Sequence, residues 1–330
     1  MTPSPSYRSP SAIDALGEGI SHMRAKLFPF SFAGWVTLGF VSLLESCGSG
    51  SGGGGLRNDV SGTGPGSYEN PARLVEMALE WIAANMLIFV SVLMALMLFS
   101  LFFMWLRSRS IFVYIDDVAT GRFDLVRPWG QHGVLADSFF VLSLVVQGAV
   151  FILIVLILGL GGFFLLWARA SDWAVLAIAL GFLPFAFALF LAVVTAAVLG
   201  LVLRDFIAPL QISRSVGAKE AGGIFLSMFA ARPGLFIGYA VLKFVIGIAV
   251  TFVVIIGSCL TCCIGFLPLI NQTLFQPIYY AERAWSLKLL AQMGEDVADR
   301  LNPPSYSGPD DAPTGPIDLS QIDFETETNR

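Results

Sequence analysis

The chain has 330 residues, of which 56% are hydrophobic and only 13% charged, with a formal net charge of −5 at neutral pH. A water-soluble fold of this length could not hide so much apolar surface, and the apolar residues fall in long runs rather than in amphipathic stripes. There is no basic patch with interleaved aromatics, so no nucleic-acid partner is expected.

The fold class expected is all-α: a polytopic integral membrane protein with six transmembrane helices and amphipathic interfacial helices on the cytoplasmic side. Three parts are expected: a cytoplasmic segment over 1–28, a six-span membrane domain over 29–301 and a disordered acidic tail over 302–330. The acidic balance is local. Residues 301–330 carry Asp310, Asp311, Asp318, Asp323, Glu325 and Glu327 against Arg330, which accounts for the whole −5 and leaves the preceding residues neutral.

In chain order, residues 1–10 are rich in Ser and Pro and read as an unstructured start. Ser11 offers an N-cap with Asp14 three residues on. Ile13, Leu16, Ile20, Met23 and Leu27 follow on one helix face, with Arg24 and Lys26 beside it. This pattern suits a helix on the membrane surface or one packed on the protein's own loops. The first span is expected at 29–46. Leu44-Glu45-Ser46-Cys47-Gly48 loosely resembles a lipoprotein cleavage box, but Glu45 stands where such boxes take a small or apolar residue. A loop over 48–66 has nine glycines in 19 residues. With no strand before it and no Gly-Lys-Ser/Thr ending, it reads as a flexible linker rather than a phosphate loop.

The remaining spans are expected at about 80–106, 139–167, 173–203, 234–258 and 263–282. The second and third are joined by a polar stretch, 107–137, and the fourth and fifth by a broken one, 204–233. The fourth span is long for a bilayer and carries a ridge of small residues, Ala188, Ala192, Ala196 and Gly200, whose spacing by four marks a helix-packing face. Gly234 and Gly238 offer a second notch of this kind. In the connector after the fourth span, Ala221, Phe225, Met228 and Phe229 share a face suited to the membrane surface. Beyond the sixth span, Trp285, Leu289, Met293, Val297 and Leu301 form a further stripe. Fifteen Lys and Arg lie on one side of these spans and Arg57, Arg73 and Arg169 on the other, with Lys243 inside the fifth. That asymmetry puts both termini in the cytoplasm.

Chemistry is sparse. Lys243 lies ~12 Å inside its apolar run. Its depth matches Tyr279, and Gln272, Gln276 and Tyr280 share one face of the sixth helix. Lys243, Gln272, Gln276, Tyr279 and Tyr280 therefore make a candidate polar pocket, the alternative being a snorkelling lysine capped by tyrosine and amide groups. Cys259, Cys262 and Cys263 cluster at a hairpin tip, but zinc wants four ligands and neither histidine is near in sequence. Asp116, Asp117, Asp124 and Asp137 read as solvated loop acids, the alternative being that they bind a cation. No catalytic residues, no metal site and no cofactor are expected; His22 and His132 stand alone.

Several short motifs occur together: Pro29-Phe30-Ser31-Phe32 with Trp35, Pro128-Trp129, Asp205-Phe206-Ile207-Ala208-Pro209-Leu210, Arg232-Pro233-Gly234-Leu235-Phe236, and Cys262-Cys263 before Pro268 and Pro277. This combination resembles a group of bacterial six-helix membrane proteins of uncharacterised function. That group is similar to the membrane domain attached to some glycerophosphoryl diester phosphodiesterases. The resemblance implies a bacterial cytoplasmic (inner) membrane, and it transfers neither an activity nor a site residue, since the phosphodiesterase domain is absent. The function expected is structural, assembly or accessory, the alternative being a lipid- or small-molecule-handling transporter using the Lys243 region. Membrane lipids and other membrane proteins are the partners expected.

Overall fold

In a computed structural model, residues 9–28, 30–46, 77, 80–169, 174–261 and 267–302 are described. The described elements are all helical. In lipid this is the economical solution, because a helix satisfies its backbone polar groups within one segment. In order they are α1 (Ala12–Leu27), α2 (Phe32–Ser46), α3 (Met86–Thr120), α4 (Val126–Gln131), α5 (Gly133–Arg169), α6 (Ala174–Val202) and a π-helical turn, Leu203–Ile207. Then come α7 (Ala208–Arg214), α8 (Ala218–Ala231), α9 (Pro233–Leu260), α10 (Pro268–Leu274), α11 (Gln276–Gln292) and α12 (Val297–Leu301).

Among the described residues, four helices are long and apolar enough to cross a membrane: Met86–Thr120, Gly133–Leu165, Gly181–Arg214 and Pro233–Leu260. Their apolar windows are 0, 6, 11 and 0% buried inside the protein, so these halves are left to the surroundings. The protein's own core lies at the other, polar end. Along α3 the buried residues begin only at Ser108 and run to Thr120, among them Phe112, Tyr114, Asp116 and Asp117.

The remaining two expected spans differ. The 29–46 segment forms α2, whose 15 residues span ~22 Å, short of a hydrocarbon core of ~30 Å. It packs along the polar half of α3, with Gly34 against the Phe123 ring, and on α10, where Gly39 sits against Thr273. The expected 263–282 span is divided into α10 and α11 at Phe275, next to Pro277, which has no N–H to donate to the preceding turn. The stretch 107–137 is not a loop: α3 continues through it to Thr120 and stops where Gly121 turns left-handed at φ 72°.

The two amphipathic helices turn their apolar faces inward. Helix α1 lies antiparallel on α11, approaching so closely that a Cβ on Gly19 would stand 3.0 Å from the Trp285 backbone nitrogen. Trp285 Nε1 donates to Ala12 O at 2.7 Å and Ser11 N donates to Gln292 Oε1 at 3.0 Å. The buried face of α1 is Ala15, Gly19 and Leu27, while Ile13 is exposed. On α8, Ala221 and Phe225 are buried, and Phe225 stacks with Phe206 and meets Phe236 edge-on at centroid distances of 5.3 and 5.2 Å.

The α5–α6 hairpin is held by rings over glycines: Phe185 lies on Gly161 and Phe164 on Gly181, where a Cβ would meet ring atoms at 2.3 and 1.9 Å. Ala192 is buried on the same helix, with Ala188, Ala196 and Gly200 half-buried beside it. Gly234 and Gly238 face open space, because the inward face of α9 is the one that carries Phe236, Tyr239 and Lys243. The linker 48–66, the tail 303–330 and Cys47, Cys262 and Cys263 lie outside the described residues; Cys259 is exposed and carries a free thiol.

Candidate functional site

The polar end of the fold is organised by ion pairs drawn from four elements: α2, the π-helical turn, α9 and α11. Arg204 and Asp205 sit on the π-helical turn that follows the apolar run of α6. There the Ala208 N–H reaches back to Leu203 O, five residues earlier, and Pro209 has no N–H at all. The Arg204 carbonyl is thereby left open, and Arg283 Nη1 of α11 donates to it at 2.8 Å. Single π-turns of this kind recur at functional sites because they expose backbone groups inside a helix.

Around this opening the charges interlock. Glu45, near the end of α2, accepts through Oε1 from both Arg204 Nε and Arg283 Nη2. Arg283 Nη1 also lies 3.6 Å from Asp205 Oδ1. Lys243 Nζ pairs with Asp205 Oδ2 and, at 3.1 Å, with Glu282 Oε1. Tyr239, one turn before Lys243 on α9, donates to Asp205 Oδ2 at 3.0 Å. Glu282 closes the ring with Arg204 at 3.6 Å. Arg283 is fully buried, with Asp205 and Glu45 nearly so, whereas Arg204 and Glu282 are 30% and 31% exposed. The network therefore has a dry centre and one wet edge.

The five residues singled out in the sequence are near this network but do not form one pocket. Lys243 belongs to it. Gln276 Nε2 donates to Tyr114 Oη at 2.9 Å, below the Arg283 guanidinium, which lies 5.8 Å from the Tyr114 ring centroid. Gln272 faces α2 instead, accepting from Ser42 Oγ at 2.6 Å. Tyr279 donates to Asn271 Oδ1 and Tyr280 to Val118 O, both at 3.0 Å. Sequence reasoning paired Lys243 with the sixth span alone and missed Glu45, Arg204, Asp205, Glu282 and Arg283. A signal was present: Arg204-Asp205 follows an apolar run directly, and Tyr239 shares a helical face with Lys243.

A second polar cluster lies deeper in the same core. His132 Nε2 is 2.9 Å from Asp116 Oδ2, with both residues buried. Asp117 is fully buried; its Oδ1 accepts from the Asp124 N–H at 2.9 Å. These acids are thus core groups rather than solvated loop residues, because α3 continues past the point where a loop was expected. Asp137 is the more open one, bound bidentately by Arg109 at 2.9 and 3.1 Å, whose guanidinium lies 4.9 Å from Trp105 and 5.9 Å from Trp129. No group of three His, Cys, Asp or Glu among the described residues is arranged to hold a metal ion.

His22 links α1 to this cluster. Its Nε2 lies 2.7 Å from Val118 O, so that nitrogen carries the proton, and the ring stacks on Tyr280. Burial, with Lys288 and Lys26 nearby, holds His22 below its usual 6.5. The unfolded chain therefore binds this proton at a higher pH than the folded one. The stability this adds is complete above pH 6.5 and is lost as the pH falls from there towards the lower folded value. A thermal-unfolding pH series should show this slope, and His22→Gln should flatten it.

A family of unknown function (DUF7544) matches residues 10–290. No curated protein and no solved structure matches the chain. The family match carries no link to the membrane domains of glycerophosphoryl diester phosphodiesterases.

Proposed function

The chain belongs to this family of unknown function, and from that premise we propose that it is a multi-pass protein of the bacterial cytoplasmic membrane with a structural, assembly or accessory role and no catalytic chemistry of its own. In this reading both termini are cytoplasmic. The described first and last helices, α1 and α12, are both part of the core at the polar end, and the Lys and Arg residues are biased fifteen to three in the same sense. The likeness to a phosphodiesterase-attached membrane domain enters as architecture only.

One observation carries the accessory reading over the transporter. Lys243, Gln272, Tyr279 and Tyr280 each have their polar ends engaged inside the chain, Lys243 by two carboxylates and a tyrosine, while Gln276 donates to Tyr114 and keeps only its buried Oε1 unpartnered. A substrate path would leave such groups free to water or ligand. A locked network instead gives a rigid cytoplasmic platform on which membrane partners assemble.

The test is water access beside the network. Ser42 and Ser286 are buried there, at 5% and 0% exposure. Ser42→Cys and Ser286→Cys, in a background lacking the four native cysteines, preserve side-chain size. A charged thiol reagent added to the folded protein in membranes should label them slowly, and rapidly only after denaturation. Rapid labelling of the folded protein would reject the accessory reading in favour of a hydrated transport path.

A further inference from the structure

Seven charged side chains meet at the polar end, and they do not balance. Arg107, Arg204, Lys243 and Arg283 are basic; Glu45, Asp205 and Glu282 are acidic. The surplus is one positive charge, and the geometry assigns it to a single residue. Arg204, Lys243 and Arg283 each have carboxylate partners. Arg107 has no ion pair among the described residues, and its Nε is buried without a hydrogen-bond partner. Of the charges that act on it, Glu45 attracts while Arg204 and Arg283 repel. Arg283 Nε is likewise buried and unpartnered.

A half-buried arginine without a carboxylate of its own, set against two others, is costly unless an anion joins it. Arg107 also stands at a boundary. One to two turns before it on α3, Phe99 and Phe102 are 62% and 54% exposed on the apolar half; directly after it, Ser108, Ser110 and Ile111 are buried. Basic clefts between helices at this level of a membrane protein suit phosphate-bearing head groups, and the guanidinium fork matches phosphate oxygens better than an ammonium does.

We propose that Arg107, with Arg204 and Arg283 beside it, binds one phosphate group at the polar–apolar boundary of α3, supplied by an anionic phospholipid or by free phosphate. The competing arrangement is that Arg107 swings to the second oxygen of Glu45, which is also buried and unpartnered. The two differ in sign. If Arg107 is the partner of Glu45, removing it destabilises the protein in every lipid. If it awaits an anion, removing it relieves repulsion when no anion is present.

The inference rests on the membrane placement proposed above, not on the accessory role. The experiment uses the full chain in nanodiscs of phosphatidylcholine, with and without phosphatidylglycerol, and separately in phosphate-free dodecyl maltoside micelles, with and without inorganic phosphate. Co-elution with the disc reads the membrane placement first, independently of the phosphate site. In the phosphate-free micelles without added anion, Arg107→Gln should unfold at the same temperature as the wild type or higher. Phosphatidylglycerol should raise the wild-type midpoint, and its apparent affinity should fall about tenfold or more in Arg107→Gln, the scale of losing charge-assisted hydrogen bonds. Arg107→Lys should recover part of the increment, and Arg232→Gln, at an exposed control position, should keep all of it. An increment from phosphatidylglycerol but not from phosphate assigns the site to a lipid head group. An increment from phosphate as well supports the same site with a free anion as its source. The proposal is overturned if Arg107→Gln keeps the increment, if neither probe gives one, or if Arg107→Gln is clearly less stable in the phosphate-free micelles without added anion.

Discussion

Arg283→Met is expected to destabilise the folded protein by ~3–5 kcal/mol, the range seen when one partner of a buried ion pair is removed. Arg283 has no exposed side-chain surface. It bonds Glu45, approaches Asp205 at 3.6 Å and donates to the Arg204 carbonyl opened by the π-turn. Methionine fills a similar length but satisfies none of these groups, so Glu45 keeps only Arg204 and a carbonyl oxygen loses its donor. The measurement is denaturant unfolding in mixed micelles. A cycle with Glu45→Gln separates the pair from its surroundings: because the double variant removes the Glu45 carboxylate together with the guanidinium and leaves Asp205 paired with Lys243, the two single costs should exceed the double by ~0.5–3 kcal/mol. A cost for Arg283→Met inside the ordinary range of exposed substitutions would mean that water reaches this centre.

Lys243→Met separates the two sequence readings of that lysine. A snorkelling lysine contributes little, and methionine in its place would be neutral or favourable in an apolar run. The structure places its amine between Asp205 and Glu282, with Tyr239 alongside. Asp205 is nearly buried, so losing Lys243 leaves a carboxylate with only the Tyr239 hydroxyl and a distant guanidinium. The expected cost is ~2–5 kcal/mol, as for truncating one side of a hydrogen-bonded charge pair. Asp205→Asn in the Lys243→Met background should return part of it, since the unpaired charge is then gone. Equal stability of Lys243→Met and the wild type would reject the network as a source of stability.

These expectations concern residues that the linear pattern named only in part. Lys243 was visible because a charge inside an apolar run is rare and costly. Its partners were not, since Asp205 lies 38 residues earlier and Glu282 39 residues later in the chain and no local spacing relates them. The candidate pocket residues on the sixth segment were read as one face of one helix. Pro277 and the break at Phe275 divide that helix, so Gln272 turns to Ser42 while Gln276 meets Tyr114. His132 looked isolated because Asp116, sixteen residues away, was assigned to a loop; continuation of α3 and the short α4 bring the two within 2.9 Å.

Composition and periodicity were enough to establish the all-helical class and the four long apolar helices, because burying a backbone in lipid leaves few alternatives and apolar length is a local quantity. They were also enough to mark Ser11 as the cap of α1. Whether 29–46 crosses a membrane or lies along the polar half of α3, and whether the faces of α1 and α8 meet lipid or protein, depended on which surfaces were left uncovered once all helices were packed. The same holds for the ion network. A charge declares its cost in its own sequence position, but its partner is chosen by the fold, through contacts between segments far apart in the chain.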